Sequence, residues 1–555
     1  MTKRRKNAGG YALAAADRIT PSYRPKQAEK AAPCQAGCVN CGDIRAWIGT
    51  VAQRGKTGLS REQAFSEAWR ILVDVNPFPG SLGRICPHPC EDRCNRREND
   101  QPLAINAMER FLGDWGIRAN LPLPRLEHDS RSEWVGVIGA GPSGLSFAYQ
   151  MARRGYRVTV YEGHPRAGGM LRYGVPDYRL PQKVLDAEIE KILALGVDLR
   201  LDTRVGRDVS LETLRARHEV LYLGIGAQSG RTLGVPGEQG PGVLNGADYL
   251  ARINAGEQVD LGKRVVVVGG GNTAMDAARC ARRAAPEVTV LYRRTRAEMP
   301  ALAHEIDDAL EEGVVLMELA APMKIRRGKY DRLTGVRVQE MELAAPDDSG
   351  RRRPVPVAGS GFVLAADSVI VAVSQQPSLQ GFEALNHDGN WLVTGPDGAV
   401  GEGILSGGDV RGPGIAGNAI VQGRRAAELL HGRLTGSLAE TPELRTMAAR
   451  EILFETKPSS EAAHSWKRPA LERLAGGLAE TSDTISEAEF LAEAERCYSC
   501  GSCSGCEQCF MYCTSGCFTK LEEAGPGTYF TLNLDACQEC GKCVEVCPCG
   551  FLEFS

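Results

Sequence analysis

The spacing of apolar positions divides the chain into unlike stretches. From Ser60, SREQAFSEAWRIL places its apolar residues at helical intervals, and helical segments of this kind run through residues 34–120. From Glu133 the pattern changes to short β-branched runs that end in glycine loops. WVGVIGAGPSG is followed by YRVTVYEG, and KRVVVVGGGNTAMDAAR by EVTVLYRR, which predicts two strand–loop–helix–strand units. MKIRRGKYDRLTGVRVQEMEL and GFVLAADSVIVAVSQQP read as further strands, and GILSGGDVRGPGIAGNAIVQGRRAAELL as strand, loop and helix. Residues 433–486 are polar and weakly patterned, a linker able to wrap the surface.

At 555 residues the chain needs roughly three to five folding units. Lys+Arg 66 against Asp+Glu 69 leaves a formal charge of -3, so nothing global favours nucleic acid as a partner. Glycine, 64 of 555, is in excess, as ligand loops require, and 43% hydrophobic residues suffice for real cores. No apolar run reaches the ~18 residues of a transmembrane helix. The start, MTKRRKNAGGYALAAAD, lacks the apolar stretch of a signal peptide, and the expected location is cytoplasmic.

The 19 cysteines change the picture most: six lie between 34 and 94, one is Cys280, and twelve crowd into 497–549. Two- and three-residue spacings in a reduced compartment read as metal or iron–sulfur ligation rather than disulfides. Cys503, Cys506, Cys509 and Cys513 follow C-x2-C-x2-C-x3-C, and Cys537, Cys540, Cys543 and Cys547 repeat it, with Pro548 next. In the bacterial two-cluster pattern the fourth cysteine of each run serves the other cluster. The expected sets are therefore Cys503, Cys506, Cys509 with Cys547, and Cys537, Cys540, Cys543 with Cys513. Zinc is the competing reading. Cys497, Cys500, Cys517 and Cys549 are left over, as packing or spare thiols rather than a third cluster.

GAGPSG, Gly139 to Gly144, stands between a strand and a helix, with Glu162 closing the next strand. That context is a dinucleotide fingerprint: Gly139, Gly141, Pro142, Ser143 and Gly144 bring backbone to a pyrophosphate at a helix N-terminus, and an acid takes ribose hydroxyls. The second fingerprint is GGGNTA, comprising Gly269, Gly271, Asn272, Thr273 and Ala274. Where the acid would stand there are Arg293 and Arg294, which suit a 2′-phosphate, so NADP(H) is favoured over NAD(H). The bland alternative is a solvated strand end.

Two such units, with a distant GGD of Gly407, Gly408 and Asp409, resemble the two-dinucleotide-binding flavoprotein fold, in which a nicotinamide domain is inserted into a split FAD domain. That resemblance implies FAD on the first unit, with Gly408 and Asp409 among its contacts. CQAGC, GRICPHPCEDRC and PLAINAMERF look like the amino-terminal cluster domain shared by the glutamate synthase small subunit, the large subunit of NADH-dependent ferredoxin:NADP oxidoreductase and dihydropyrimidine dehydrogenase. GGMLRYGVPDYRLP, GAQSGRTLGVPGE and YRRTRAEMPA extend the match to about 400 residues. The resemblance adds Gly169, Met170, Arg172 and Gln375 as cofactor contacts. It places one [4Fe–4S] centre on Cys38, Cys86, Cys90 and Glu109, where a surface salt bridge is the bland alternative for Glu109. The family's second centre lacks its two upstream cysteines here, leaving Cys34, Cys41 and Cys94 as candidates for a centre that is absent, rebuilt around Cys41, or completed by a non-cysteine ligand. With the tail, the chain is similar to iron–sulfur flavoproteins that serve dissimilatory sulfite reductase, and to flavoprotein subunits of 2-oxoacid oxidoreductases.

The expected architecture is thus multidomain α/β. It comprises an arm at 1–33, a helical iron–sulfur domain at 34–130, an FAD domain at 131–250 and 362–432, an NAD(P) domain at 251–361, the linker, and an α+β ferredoxin-like domain at 487–555. No side-chain acid, base or nucleophile is required for hydride transfer to flavin, and none is assigned. The expected function is an NAD(P)H:acceptor oxidoreductase subunit, linked to a larger redox enzyme or ferredoxin in a hetero-oligomer. A glutamate synthase-like small subunit and a pure electron-transfer adaptor are the rivals.

Overall fold

The structure is a computed structural model that describes residues 23–346, 350–437 and 444–555. Most of the expected arm at 1–33, residues 1–22, lies outside the described residues, as do 438–443 of the expected linker. β1 (Pro25–Gln27) precedes the helical unit of α1 (Ile44–Ala52), α2 (Arg61–Val75), α3 (Pro79–Ile85) and α4 (Ile105–Arg118). Ser60 starts α2 by capping Gln63 N at 3.2 Å while Gln63 returns a bond to Ser60 N at 2.8 Å.

The FAD-type sheet uses β2 (Trp134–Ile138), β3 (Arg157–Tyr161), β4 (Asp198–Arg200) and β5 (Val220–Leu223), with α5 (Pro142–Ala152) after β2. The chain then leaves for a second sheet of β6 (Val243–Asn245), β7 (Arg264–Val268), β8 (Glu287–Leu291) and β9 (Val315–Met317), with α6 (Asn272–Ala284) after β7. An antiparallel layer of β10 (Ala320–Arg327), β11 (Leu333–Pro346), β12 (Arg352–Pro356) and β13 (Phe362–Ala365) covers it, and β14 (Ser368–Val371) enters between β6 and β7. The chain returns through β15 (Ala399–Gly401), β16 (Ile404–Ser406) and α7 (Ala416–Thr435). β16 pairs with β5 in parallel, Leu405 opposite Tyr222, which closes the first sheet in the order β15-β16-β5-β2-β3-β4.

The second sheet is parallel throughout and shifts two expected boundaries. β6 aligns Val243 with Val369 of β14, so both strands belong to the inserted unit, which begins before 243 and ends after 371 rather than at 251 and 361. Strand pairing decides membership, and the local pattern of a three-residue strand carries no information about its partner.

The remaining chain is α8 (Glu487–Arg496) and the hairpin β17 (Phe518–Gly525) and β18 (Thr528–Leu532), followed by β19 (Leu552–Phe554). β19 pairs antiparallel with β1, Lys26 opposite Glu553. Residues 444–486 are a packed strap. Glu480 bridges Arg84 and Arg110, each at 2.7 Å, Thr481 N bonds Tyr178 O at 3.0 Å, and buried Arg473 reaches Asp308 at 3.2 Å.

Candidate functional site: two nucleotide loops and the thiol sets

The glycine loops are built from strand ends. Gly139 has φ +98°, and a Cβ there would sit 2.5 Å from Gly224 O, so the turn off β2 admits only glycine. A Cβ on Gly144 would meet Gly139 O at 2.0 Å, which seats α5 against the loop. Gly141 is different: nothing lies nearer than 3.8 Å, and the open face is the wall of a cavity of about 790 Å³. Gly139, Gly141, Pro142, Ser143, Glu162, Gly169, Met170, Gly408 and Asp409 all line it. A volume of this size at the start of a helix suits a dinucleotide.

Glu162 holds the loop from beneath, accepting Ala140 N at 2.8 Å and His164 N at 2.9 Å. Asp409 is set by the turn after β16, and Gly414 N at 3.2 Å is the one donor to its carboxylate among the described residues. Burial pushes its carboxyl up to about 6. An acid with spare lone pairs in a buried wall is suited to hydroxyl donors, and it carries a cost when nothing is bound. Because the folded value lies above the unfolded one near 3.9, stability falls as pH rises from about 4 through 6. Asp409→Asn is expected to stabilise flavin-free protein by about 1–2 kcal/mol at pH 7.5 but not at pH 4. Denaturant unfolding at both values checks this, and an equal effect at both would count against it.

Two expected contacts are engaged elsewhere. Arg172 is buried on Asp186, Gln182 and Ala167 O and does not line the cavity; its guanidinium shapes the Gly168–Gly169 loop instead. Gln375 pairs with Gly230 one strand behind the lining, with its Nε2 buried and unbonded. Arg204, Arg207 and Arg252 line the same cavity. Sequence reasoning missed them because they belong to no loop motif and are brought there by separate elements.

At the second loop Gly269 has φ +146°, and its Cβ would strike Ala372 O at 2.2 Å, whereas Gly271 has only Pro300 Cγ at 4.0 Å. The open position again precedes a helix, α6, where Thr273 and buried Ala274 follow Asn272, whose Oδ1 accepts Leu302 N at 3.0 Å. The two arginines after β8 divide. Arg294 is buried and donates to Arg352 O at 2.7 Å, while Arg293 is exposed at the strand end. Of the two, Arg293 is the one whose side chain stands open to solvent.

The thiols gather in sets. Cys38, Cys86 and Cys90 sit within electrostatic reach of one another and of Glu109. Asn76 Nδ2 holds Glu109 at 2.8 Å, and burial pushes its carboxyl up to about 7. α3, which ends at Cys86, is fixed at its start by buried Glu188, which accepts Gly80 N at 2.6 Å and Ser81 Oγ at 2.5 Å. α5 is tied to α2 through Tyr149 Oη to Val73 O and Arg153 Nη1 to Asp74 O, both 2.9 Å. The helical unit thus rests directly on the helix that follows the first glycine loop.

In the tail, Cys503, Cys506, Cys509 and Cys547 ring a small apolar cavity with Phe518 and Phe530. Cys543 is in reach of Cys513 and Cys540, and Cys537 and Cys513 flank Cys517. Burial pushes Cys503 up to about 11 and Cys509 to about 12, so their thiolates need cationic partners. Among the described residues no three His, Cys, Asp or Glu form a single-ion site. A [4Fe–4S] cluster binds four separate cysteines, and the donor sets fit that group. Cys41 is exposed, and the Arg425 guanidinium approaches its Sγ at 3.7 Å.

Residues 134–423, just over half of the 555, match the pyridine nucleotide-disulphide oxidoreductase family. The chain belongs to that family. In this pyridine nucleotide-disulphide oxidoreductase the matched stretch has one cysteine, Cys280, buried on α6, and so no dithiol to reduce. Residues 13–121 match the dihydropyrimidine dehydrogenase domain II, 4Fe-4S cluster family, and 530–553 a 4Fe-4S binding domain. The chain is 36% identical over 530 residues to the NADP(+)-dependent formate dehydrogenase subunit beta of Moorella thermoacetica, covering 89% of this chain and 73% of that one. It is 41% identical over 354 residues to the NADPH-Fe(3+) oxidoreductase subunit beta of Geobacter sulfurreducens, covering 63% of this chain and 51% of the relative. The glutamate synthase [NADPH] small chain of Escherichia coli is 32% identical over 394 residues, 67% of this chain and 84% of that one. The chain therefore spans only about half the length of the Geobacter relative. No helix among the described residues is long and apolar enough to cross a membrane.

Proposed function

We propose that this oxidoreductase is the NADPH-linked flavoprotein subunit of a larger, cytoplasmic redox assembly and exchanges single electrons with a protein partner through its clusters. The observation that carries this reading is the anchoring of the helical unit that carries Cys38, Cys86, Cys90 and Glu109 to α5 through Val73 and Asp74 of α2, the N-terminus of α5 opening the 790 Å³ cavity. Two of the relatives are named as subunits of NADP- or NADPH-linked redox enzymes, which supports both the nucleotide and the hetero-oligomer.

A bound FAD supplies the conversion between a nicotinamide's hydride and the one-electron chemistry of clusters. The chain's own residues position. Gly141 admits the pyrophosphate to backbone N–H groups, Glu162 fixes the loop, Asp409 accepts from hydroxyls, and Gly271 offers the second loop to the nicotinamide nucleotide. Cys503, Cys506, Cys509 with Cys547, and Cys513 with Cys537, Cys540 and Cys543, would hold the clusters of the exit.

An anaerobic titration with NADPH and separately with NADH, following flavin and cluster absorbance, tests this. NADPH bleaching both chromophores is the expected result; a flavin-loaded protein reduced by neither nucleotide would leave an adaptor. Arg293→Ala is expected to lower kcat/KM for NADPH by about 10- to 100-fold, the value of one charge-assisted phosphate contact, and to affect NADH far less. Equal losses with both nucleotides would remove Arg293 from the phosphate site.

A further inference from the structure

Four cysteines outside the sets above converge from opposite parts of the chain. Cys34, Cys94 and Cys497 pack against the core of the helical unit, Asn95, next to Cys94, reaches Cys500 Sγ at 3.8 Å, and Cys500, Cys497 and Cys94 are the thiol neighbours of Cys34. Cys500 is in turn in reach of Cys497 and Cys94, and Cys94 of Cys497. None of the four is disulfide-bonded among the described residues. Cys34 opens the short helix at Pro33–Gly37, Cys94 ends the turn after Cys90, and Cys497 and Cys500 form a C-x2-C immediately after α8.

Cations surround these thiols, with Arg45, Arg96 and Arg496 also ion-paired to Glu29, Asp100 and Glu493. Lys457, Arg45 and Arg96 act on Cys497, and Arg496 on Cys94. The same cations fix the backbone that carries the thiols. Arg45 Nη1 donates to Cys500 O at 3.0 Å, Lys457 Nζ to Cys497 O at 2.7 Å, and Arg96 Nη1 to Arg496 O at 2.9 Å. Ser499 N at 3.4 Å from Cys497 Sγ and Asn95 Nδ2 at 3.8 Å from Cys500 Sγ give N–H donors of the kind that tune cluster sulfurs. Four neutral packing thiols would need neither the basic shell nor the donors.

We infer that Cys34, Cys94, Cys497 and Cys500 ligate an additional [4Fe–4S] cluster, assembled jointly by the helical unit and the segment after α8. On loading, each S–H gives its proton to solvent as its S–Fe bond forms, with no net oxidation or reduction of the thiols. Lys457, Arg45 and Arg96 act on Cys497 and Arg496 on Cys94, where loading would place negative charge. This centre has a place in the electron path. Cys34 stands one helical turn from Cys38, and Cys94 four residues from Cys90, both of the first N-terminal set. Cys500 and Cys503 are three residues apart, which limits their Cα separation to roughly 11 Å, and Cys503 belongs to the first tail set. The cluster therefore takes ligands adjacent in the chain both to the first N-terminal set and to the first tail set.

The test is a count of iron and acid-labile sulfide on full-length, anaerobically purified protein, with flavin content and the spin count of the dithionite-reduced sample. The count does not depend on which nucleotide reduces the protein, so it separates this inference from the proposed function. Cys497→Ala with Cys500→Ala is expected to remove about four irons and one spin system, as is Cys34→Ala with Cys94→Ala. Combining all four substitutions should remove no more than either pair. Unchanged iron in either pair, or losses that add, overturns the shared cluster. If a pair variant fails to fold, the single Cys500→Ser decides. Loss of about four irons or a changed signal from one reduced centre supports the assignment, and wild-type iron with wild-type spectra overturns it.

Discussion

Gly141→Leu is expected to yield a folded protein that has lost its flavin. The backbone there has φ −81°, which any residue adopts, and an added Cβ has 3.8 Å of clearance, so the fold gives the substitution no reason to fail. The side chain can extend only into the cavity, over the helix N-terminus where a pyrophosphate would lie. Weakening of FAD binding by at least about a hundredfold, roughly 3 kcal/mol, is expected with the melting profile of the flavin-free form unchanged. Flavin content after gel filtration and calorimetry of the stripped protein read the two halves separately. Retained flavin would move the pyrophosphate away from this loop. Gly144→Leu is the contrasting case: its Cβ strikes Gly139 O, and the fold itself is expected to be lost.

The second large effect is structural. Phe490 of α8 is fully buried and meets Phe111 at 4.9 Å and Phe65 at 5.3 Å, ring centre to ring centre, in the core of the helical unit. Phe490→Ala is expected to cost about 3–5 kcal/mol, the range for an aromatic truncated in a packed core. Chemical denaturation monitored in the helical unit measures it. A loss under about 1 kcal/mol would show that α8 docks loosely and that the tail is a detachable ferredoxin. Buried Glu493, which accepts Ala104 N at 2.8 Å and Ala463 N at 3.0 Å and pairs with Arg496 at 2.6 Å, ties the same helix to both the helical unit and the strap.

What could be read from the sequence was what local pattern determines. The glycine loops, their strands and helices, and the alternation of the tail cysteines follow from periodicities of a few residues; in the structure the first glycine loop lines one cavity, and Cys503, Cys506, Cys509 and Cys547 line another. What escaped depends on distant partners. Arg172 and Arg294 look like ligand groups until Asp186 and the Arg352 carbonyl are brought to them. The stretch 433–486 reads as a linker because it is polar, yet Glu480 and Arg473 are polar in order to pair with Arg84, Arg110 and Asp308 on two other units. Cys497 and Cys500 were left over in the cysteine count for the same reason. Their neighbours Cys34 and Cys94 lie some 400 residues away, and only the docking of α8 brings the four together.

The pairing of β1 with β19 constrains how the protein is made. The hydrogen-bond partners of Pro25 to Gln27, Leu552 to Phe554, are translated roughly 500 residues after them. At 5 to 20 residues per second the first strand waits about half a minute to two minutes. The helical unit is in the same position, since Phe490 completes its core. The core of the helical unit is therefore complete only after the segment around Phe490 has been translated.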